Sequence, residues 1–488
     1  MSITEKLLDG FKETLGARVV NTVANGLLML LLARVLLTPD EYGLLFLVIA
    51  IVAVLQLVAD LGLSRSVARY ISDRKETDPG SIPFLIRTSL RYRVLMLALV
   101  AGGIVFGRDL IAAVLDTPEL STLLVFGAGY LVCQSLYSYH NTVFQGFNRV
   151  QLSAVVETAN AVLRVVAVVA LTALGFGVAG ALIGYAAGAA LASIVGAVLL
   201  YRRFYTTHED TGGSKSLRNR MLKYSIPMTA SHSANVLDRR IDTVLVGYFL
   251  TPVAVSYYVL AKQISEFVLV PAGSLGFSIS PTYGEQKAND SLEEAARIYE
   301  ATLRSVLILY VPAAIGIVLV AGPAVDLVFG TAYAGATPVL QVFGVYVVFQ
   351  AITSVTTNGL DYLGRARDRA IAKLVTSLGN VALNVVLIPI YGVVGAAYAT
   401  VITFGIYTLI NVYVMHLELS LDGWQIARSL ALTTVVSAAM GLSVLVAVPY
   451  VSTIPSLAGV IALGVGIWAG LASISGLFDL RKTVGMLT

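Results

Sequence analysis

The feature that most constrains this chain is a succession of long apolar segments. A helix crossing a bilayer needs roughly 20 predominantly apolar residues, because it rises about 1.5 Å per residue through about 30 Å of hydrocarbon. Fourteen such segments follow one another, the first over 15–37 and the last over 455–477. Thirteen result if the boundaries near 64–90 or 282–300 are drawn differently. No long polar domain interrupts the series. The composition agrees: 57% of the 488 residues are apolar and 13% charged, whereas soluble domains carry about a quarter charged residues. The expected fold class is all-α and polytopic. A net charge of +4 gives no support to a nucleic-acid partner. A single cysteine, Cys133, excludes an intrachain disulfide framework. Lys6 and Lys12 lead straight into the apolar run from Val19, so no cleaved leader is expected.

Basic residues set the expected orientation, because cytoplasmic loops collect Lys and Arg. Of the 33 basic residues, 27 fall at the termini and in the even-numbered connections. Arg65, Arg69, Arg74, Lys75, Arg87, Arg91 and Arg93 follow the second segment, and Arg365, Arg367, Arg369 and Lys373 the tenth. The odd-numbered connections offer only Arg34 and Arg108. This alternation predicts an even number of crossings in the cell membrane, with both termini cytoplasmic.

Two turns recur at nearly one offset. Leu37-Thr38-Pro39 between segments 1 and 2 matches Leu250-Thr251-Pro252 between segments 7 and 8. Phe176-Gly177-Val178-Ala179-Gly180-Ala181 matches Tyr391-Gly392-Val393-Val394-Gly395-Ala396. A duplicated six-helix unit follows, with lobes at 1–201 and 221–416, a cytoplasmic linker at 202–220 (Thr207, His208, Glu209) and two added helices in 417–488. Such repeats are typical of transporters. Because six is even, both copies enter the membrane in the same sense.

Enzymatic motifs do not assemble. Gly175-Phe176-Gly177-Val178-Ala179-Gly180 fits GxGxxG, but it has a span on each side and no acidic partner about 20 residues on, so it reads as a tight turn. The histidines are dispersed, with no metal-ligand spacing, and no cofactor is expected beyond a coupling proton or sodium ion. The informative residues are ionisable groups at membrane depth, which cost about 2.5–3.5 kcal/mol each to insert and therefore face a cavity or a partner. They are Asp60, Glu157 and Arg164 in the first half. In the second half they are Asp238, Arg239, Arg240 and Asp242, then Lys262 and Glu266. Internal ion pairs that fix helix packing are one reading. The other is a water-filled cavity with cations for an anionic substrate and carboxylates for a coupling ion. Prolines 227, 271, 281 and 312 interrupt or end apolar runs and offer bends for alternating access.

The run Ala33-Arg34-Val35-Leu36-Leu37-Thr38-Pro39-Asp40-Glu41-Tyr42-Gly43 with Asp60-Leu61-Gly62-Leu63 resembles the start of Wzx-type lipid-linked oligosaccharide flippases of the MOP superfamily. Leu237-Asp238-Arg239 with Asp242 through Gly247 is similar to their second-half entry helix. So is Asn380-xxx-Asn384 through Ile388-Pro389-Ile390-Tyr391-Gly392-xx-Gly395-Ala396. The resemblance spans nearly the whole chain. It implies two lobes around a cationic cavity that passes a polyprenyl-phosphate- or pyrophosphate-linked glycan between leaflets, with one chain sufficient. Arginine suits phosphate because it forms charge-assisted, often bidentate bonds. The implied substrate contacts are Arg34, Arg164, Arg239, Arg240 and Lys262, and the implied ion-coupling carboxylates are Asp60, Glu157, Asp238, Asp242 and Glu266. A multidrug exporter of the same fold would instead favour acids and aromatics in its cavity. A membrane glycosyltransferase or ligase would need a larger external loop than any present.

Overall fold

The computed structural model describes residues 16, 19–206, 210 and 212–477. Lys6, Lys12 and the linker residues Thr207, His208 and Glu209 lie outside the described residues. Among those described there is no strand. The helices are α1 (Val19–Leu36), α2 (Pro39–Asp60), α3 (Leu63–Arg74), α4 (Ile82–Val114), α5 (Glu119–Gly146), α6 (Val150–Leu171), α7 (Gly177–Leu200) and α8 (Lys215–Phe249). They continue with α9 (Pro252–Val268), α10 (Val270–Ala288), α11 (Leu292–Val328), α12 (Ala336–Tyr362), α13 (Ala366–Tyr391), α14 (Val393–Leu419), α15 (Gly423–Ala447) and α16 (Ile454–Ile474).

Eleven helical stretches among the described residues are long and apolar enough to cross a membrane, and α9 with α10, bent by 47°, can form a twelfth. One stretch, Val150–Tyr205, is α6 and α7 run together across a kink. Counting it as two crossings, and adding α8 despite its charges, gives fourteen. The short α3 is amphipathic: it buries Leu63, Val67 and Ile71 and exposes Arg65 and Arg69. Several helices outrun their apolar cores. α11 begins at Leu292 with Glu293 and Glu294 in its first turn, where carboxylates suit the positive end of the helix dipole.

The chain forms two compact units, 1–255 and 256–488. In the first, α7 packs on α5 and α6, α4 on α5, and α8 on α2 and α3. In the second, α14 packs on α12 and α13, and α11 on α12, the same pairing seven helices later. α15 lies on α11, and α16 on both.

The repeated turns adopt repeated geometry. Thr38 caps α2: its hydroxyl accepts from the Glu41 amide (3.3 Å), while the Glu41 carboxylate accepts from the Thr38 amide (2.9 Å). Thr251 accepts from the Ala254 amide (3.4 Å) at the start of α9. Pro39 and Pro252 both take the first helical position, where a missing N–H costs nothing. Gly177 (φ 51°, ψ −135°) and Gly392 (φ 61°, ψ −145°) share a conformation that a side chain disfavours. Three residues on, Gly180 and Gly395 bring the following helix close to the preceding one: a Cβ would stand 3.0 Å from the Leu171 carbonyl oxygen at the first and 2.1 Å from that of Leu387 at the second.

Candidate functional site

Three helices of the first unit, α2, α5 and α8, enclose a cavity of about 260 Å³. Helical spacing puts each contribution on one stripe. Ile49, Val52, Ala53, Gln56, Leu57 and Asp60 line it from α2, Tyr130, Gln134 and Ser138 from α5, and Val236, Arg239 and Arg240 from α8. Polar groups therefore come from all three helices. Arg239 and Arg240 are exposed, Asp238 is half-buried and Asp242 fully buried.

Asp60 lines this cavity and is held by a partner that sequence reasoning placed in a cytoplasmic connection. Arg93 lies well inside α4 and is 1% exposed, and its guanidinium contacts the Asp60 carboxylate at 2.5 Å. The same guanidinium donates to the Ser64 hydroxyl and to the Ser135 carbonyl (2.7 Å) and hydroxyl (2.8 Å), and it lies 5.2 Å from the Tyr139 ring centroid. Ser64 in turn donates to Asp60 (2.6 Å). A buried charge needs this degree of compensation. The signal available in the sequence was Asp60 itself, an acid at membrane depth that required a cation from a neighbouring span.

Arg164 and Glu157 stand two turns apart on α6, as their spacing requires, and α1 bridges them. The Asn21 amide donates to Glu157 (2.9 Å), the Asn25 amide to the Asn21 side-chain oxygen (3.3 Å), and Arg164 to Asn25 (2.7 Å). Arg164 also lies over Tyr185 at 5.5 Å, and Tyr185 meets Tyr130 edge-on at 5.8 Å. Both tyrosines are within electrostatic range of Arg164 and Arg240. The α1–α6 relay thus adjoins the α2–α5–α8 cavity through an aromatic pair. Close approach of α7 to α6 at this point depends on Gly188, where a Cβ would stand 2.8 Å from the Arg164 Cα.

The other sequence-derived residues lie elsewhere. Arg34 is exposed at the end of α1. Lys262 and Glu266 belong to α9 in the second unit. Lys262 is half-buried, 5.4 Å from the Tyr258 ring, and Glu266 is exposed. Asn380 and Asn384 are buried and bonded to each other (3.0 Å), and Asn380 reaches Thr403 on α14 (3.4 Å), a helix-to-helix contact. Sequence reasoning missed Gln56 and Gln134, although Gln56/Asp60 and Gln134/Ser138 are polar pairs at i, i+4 on apolar helices. Among the described residues no three acidic, histidine or cysteine side chains gather in a metal-binding group.

Residues 31–338, more than half of the chain, match the family described as polysaccharide biosynthesis protein. The chain belongs to that family. Among curated relatives, a probable low-salt glycan biosynthesis flippase of Haloferax volcanii, Agl15, is 24% identical over 40% of this chain and 42% of its own length. A probable flippase of the same organism, AglR, is 29% identical over 35% and 37%. The matches span about two fifths of these two relatives. An uncharacterized membrane protein of Methanocaldococcus jannaschii, MJ1375, is 23% identical over 78% of this chain and 90% of its own. The fold is that of the lipid II flippase MurJ in an inward closed conformation (TM-score 0.77, 14% identity, 98% of this chain and 100% of that one). An inward-facing multidrug resistance MATE transporter of the MOP superfamily shares it (TM-score 0.67, 17% identity, 82% and 94%). The two Haloferax relatives are named as flippases rather than enzymes.

Proposed function

We propose that this protein is a flippase that moves a polyprenyl-phosphate- or pyrophosphate-linked oligosaccharide across the cell membrane by alternating access. The observation that carries the reading is the charge of the α2–α5–α8 cavity. Its carboxylate, Asp60, is paired with Arg93, and α8 brings two guanidinium groups, Arg239 and Arg240, to the cavity wall, a chemistry suited to a phosphate whatever else each arginine touches. Arg164, one aromatic pair away, extends the path, and Gln56, Gln134 and Ser138 offer neutral hydrogen bonds to sugar hydroxyls. Arg34 and Lys262 would guide the phosphate at other stages. In this reading the repeats 1–201 and 221–416 are the moving halves, and both termini are cytoplasmic. One chain supplies the whole cavity, so a monomer suffices.

Ion coupling belongs to the same proposal, and Glu157 is its strongest carboxylate. Its hydrogen-bond partner is the neutral amide of Asn21, so protonation leaves no cation stranded. Protonation of Asp60 would strand Arg93. Asp238, Asp242 and Glu266 are the further acids of the reading.

Titration of the purified protein in nanodiscs with a short-chain polyprenyl-diphosphate oligosaccharide tests the cavity. Arg239→Gln/Arg240→Gln is expected to weaken binding at least about tenfold, since each charge-assisted bond is worth about 1.5–3 kcal/mol. Equal affinity for the same glycan on an uncharged polyprenol would refute phosphate recognition. Preference for cationic dyes would favour a drug exporter.

A further inference from the structure

The bend between α9 and α10 has a specific cause. In an unbroken helix the Ala272 amide would donate to the Val268 carbonyl, four residues back. Here the Ala272 amide donates to the Tyr310 hydroxyl of α11 (2.9 Å), and that hydroxyl donates to the Val268 carbonyl (3.1 Å). A side-chain O–H has been inserted into this rung of the ladder, the Leu269 amide beside it turns to the Glu266 carbonyl three residues back (3.2 Å), and the chain bends by 47° across this break. Tyr310 is 2% exposed, so water does not compete for the position.

Pro271 sits in the same turn and is the obvious alternative cause, since it lacks an N–H and its ring presses on the carbonyl of Phe267. The rest of this unit argues against proline alone. Helix α10 continues through Pro281, α11 through Pro312 and Pro323, and α13 through Pro389. The proline at the break is the one whose neighbouring rung holds an inserted hydroxyl.

We propose that Tyr310 is a wedge that sets the bend of the α9–α10 span, and that its withdrawal lets the span straighten. Both states satisfy the same backbone groups. In the bent state Val268 and Ala272 bond through the hydroxyl, and in the straight state they bond directly. A rung whose amide and carbonyl are bonded in both arrangements can be biased by small forces, as a span that changes shape during transport requires. Tyr310 is a positioning residue and needs no contact with the transported molecule. The inference stands on the geometry of the second unit and does not depend on which substrate is carried.

Pulsed electron paramagnetic resonance on the full chain tests it, with spin labels at Tyr257→Cys and Ala288→Cys in a Cys133→Ser background. At about 1.5 Å per residue, straightening the two arms lengthens the label separation by about 4 Å. Tyr310→Phe, which keeps the ring and deletes the hydroxyl, is expected to move the distribution toward the longer distance, the straight-to-bent ratio rising about tenfold or more. Pro271→Ala with Tyr310 intact is expected to stay at the bent distance. An unchanged distribution in Tyr310→Phe overturns the proposal, and so does straightening in Pro271→Ala, which would assign the bend to the proline. The second variant decides the question alone if the first does not fold.

Discussion

Arg93→Met removes a cation that is 1% exposed from a carboxylate that is 15% exposed. The substitution deletes the 2.5 Å ion pair and the bonds to Ser64 and Ser135, and leaves Asp60 facing the Ser64 hydroxyl alone among these partners. Breaking a buried pair from one side costs about 3–5 kcal/mol, because the remaining charge stays desolvated. Asp60→Leu should cost a similar amount by stranding Arg93. The double variant replaces the pair with apolar groups of comparable volume, a change that is about neutral when packing is kept. The two single costs then fail to add by roughly 6 kcal/mol or more. Reversible unfolding of the four proteins in mixed micelles measures this coupling. Additivity within about 0.5 kcal/mol would show that the contact carries no energy, and would remove the argument that Asp60 is already neutralised in the cavity.

Gly177→Ala and Gly392→Ala should each cost about 1–3 kcal/mol in unfolding experiments, and by similar amounts, because both glycines hold the same side-chain-disfavoured backbone. Gly102→Ala, in an open part of α4, should be neutral or stabilising; equal losses at all three would argue against the repeated turn. Gly188→Ala inserts a Cβ 2.8 Å from the Arg164 Cα and is expected to cost about 1–3 kcal/mol and to reduce transport by shifting Arg164, whereas unchanged stability would mean that α7 moves aside freely. Transport by Glu157→Gln should lose its response to an imposed pH gradient, and a retained response would assign coupling to another carboxylate.

Much of the fold was legible because hydropathy and turn chemistry act locally. The Leu-Thr-Pro and Gly-x-x-Gly turns repeat in structure as in sequence through residues whose backbone demands are specific: a cap, a proline at the first helical position, and a glycine at positive φ. Boundaries were less legible. Hydropathy marks the lipid-facing part of a helix, so α8 and α11, which extend into charged sequence at Lys215–Arg220 and Glu293–Arg297, began earlier than their apolar runs suggested. Arg93 reads as a connection residue for the same reason, since it follows Arg87 and Arg91 at an apolar boundary and only its partner Asp60 sets it apart from them. The link from Glu157 through Asn21 and Asn25 to Arg164 joins helices that are far apart in sequence, and no local pattern encodes such a pairing. The bend of α9–α10 needs Tyr310, nearly forty residues from the rung it opens.

The most direct test of the central claim is movement of a fluorescent lipid-linked oligosaccharide between leaflets of proteoliposomes containing the purified protein. Wild-type protein is expected to flip the lipid, while Arg239→Ala and Arg164→Ala, folded and inserted normally, lose most of that activity. Undiminished flipping by both variants would reduce these arginines to packing partners. Absence of flipping by the wild type, together with export of a cationic dye, would contradict the account outright.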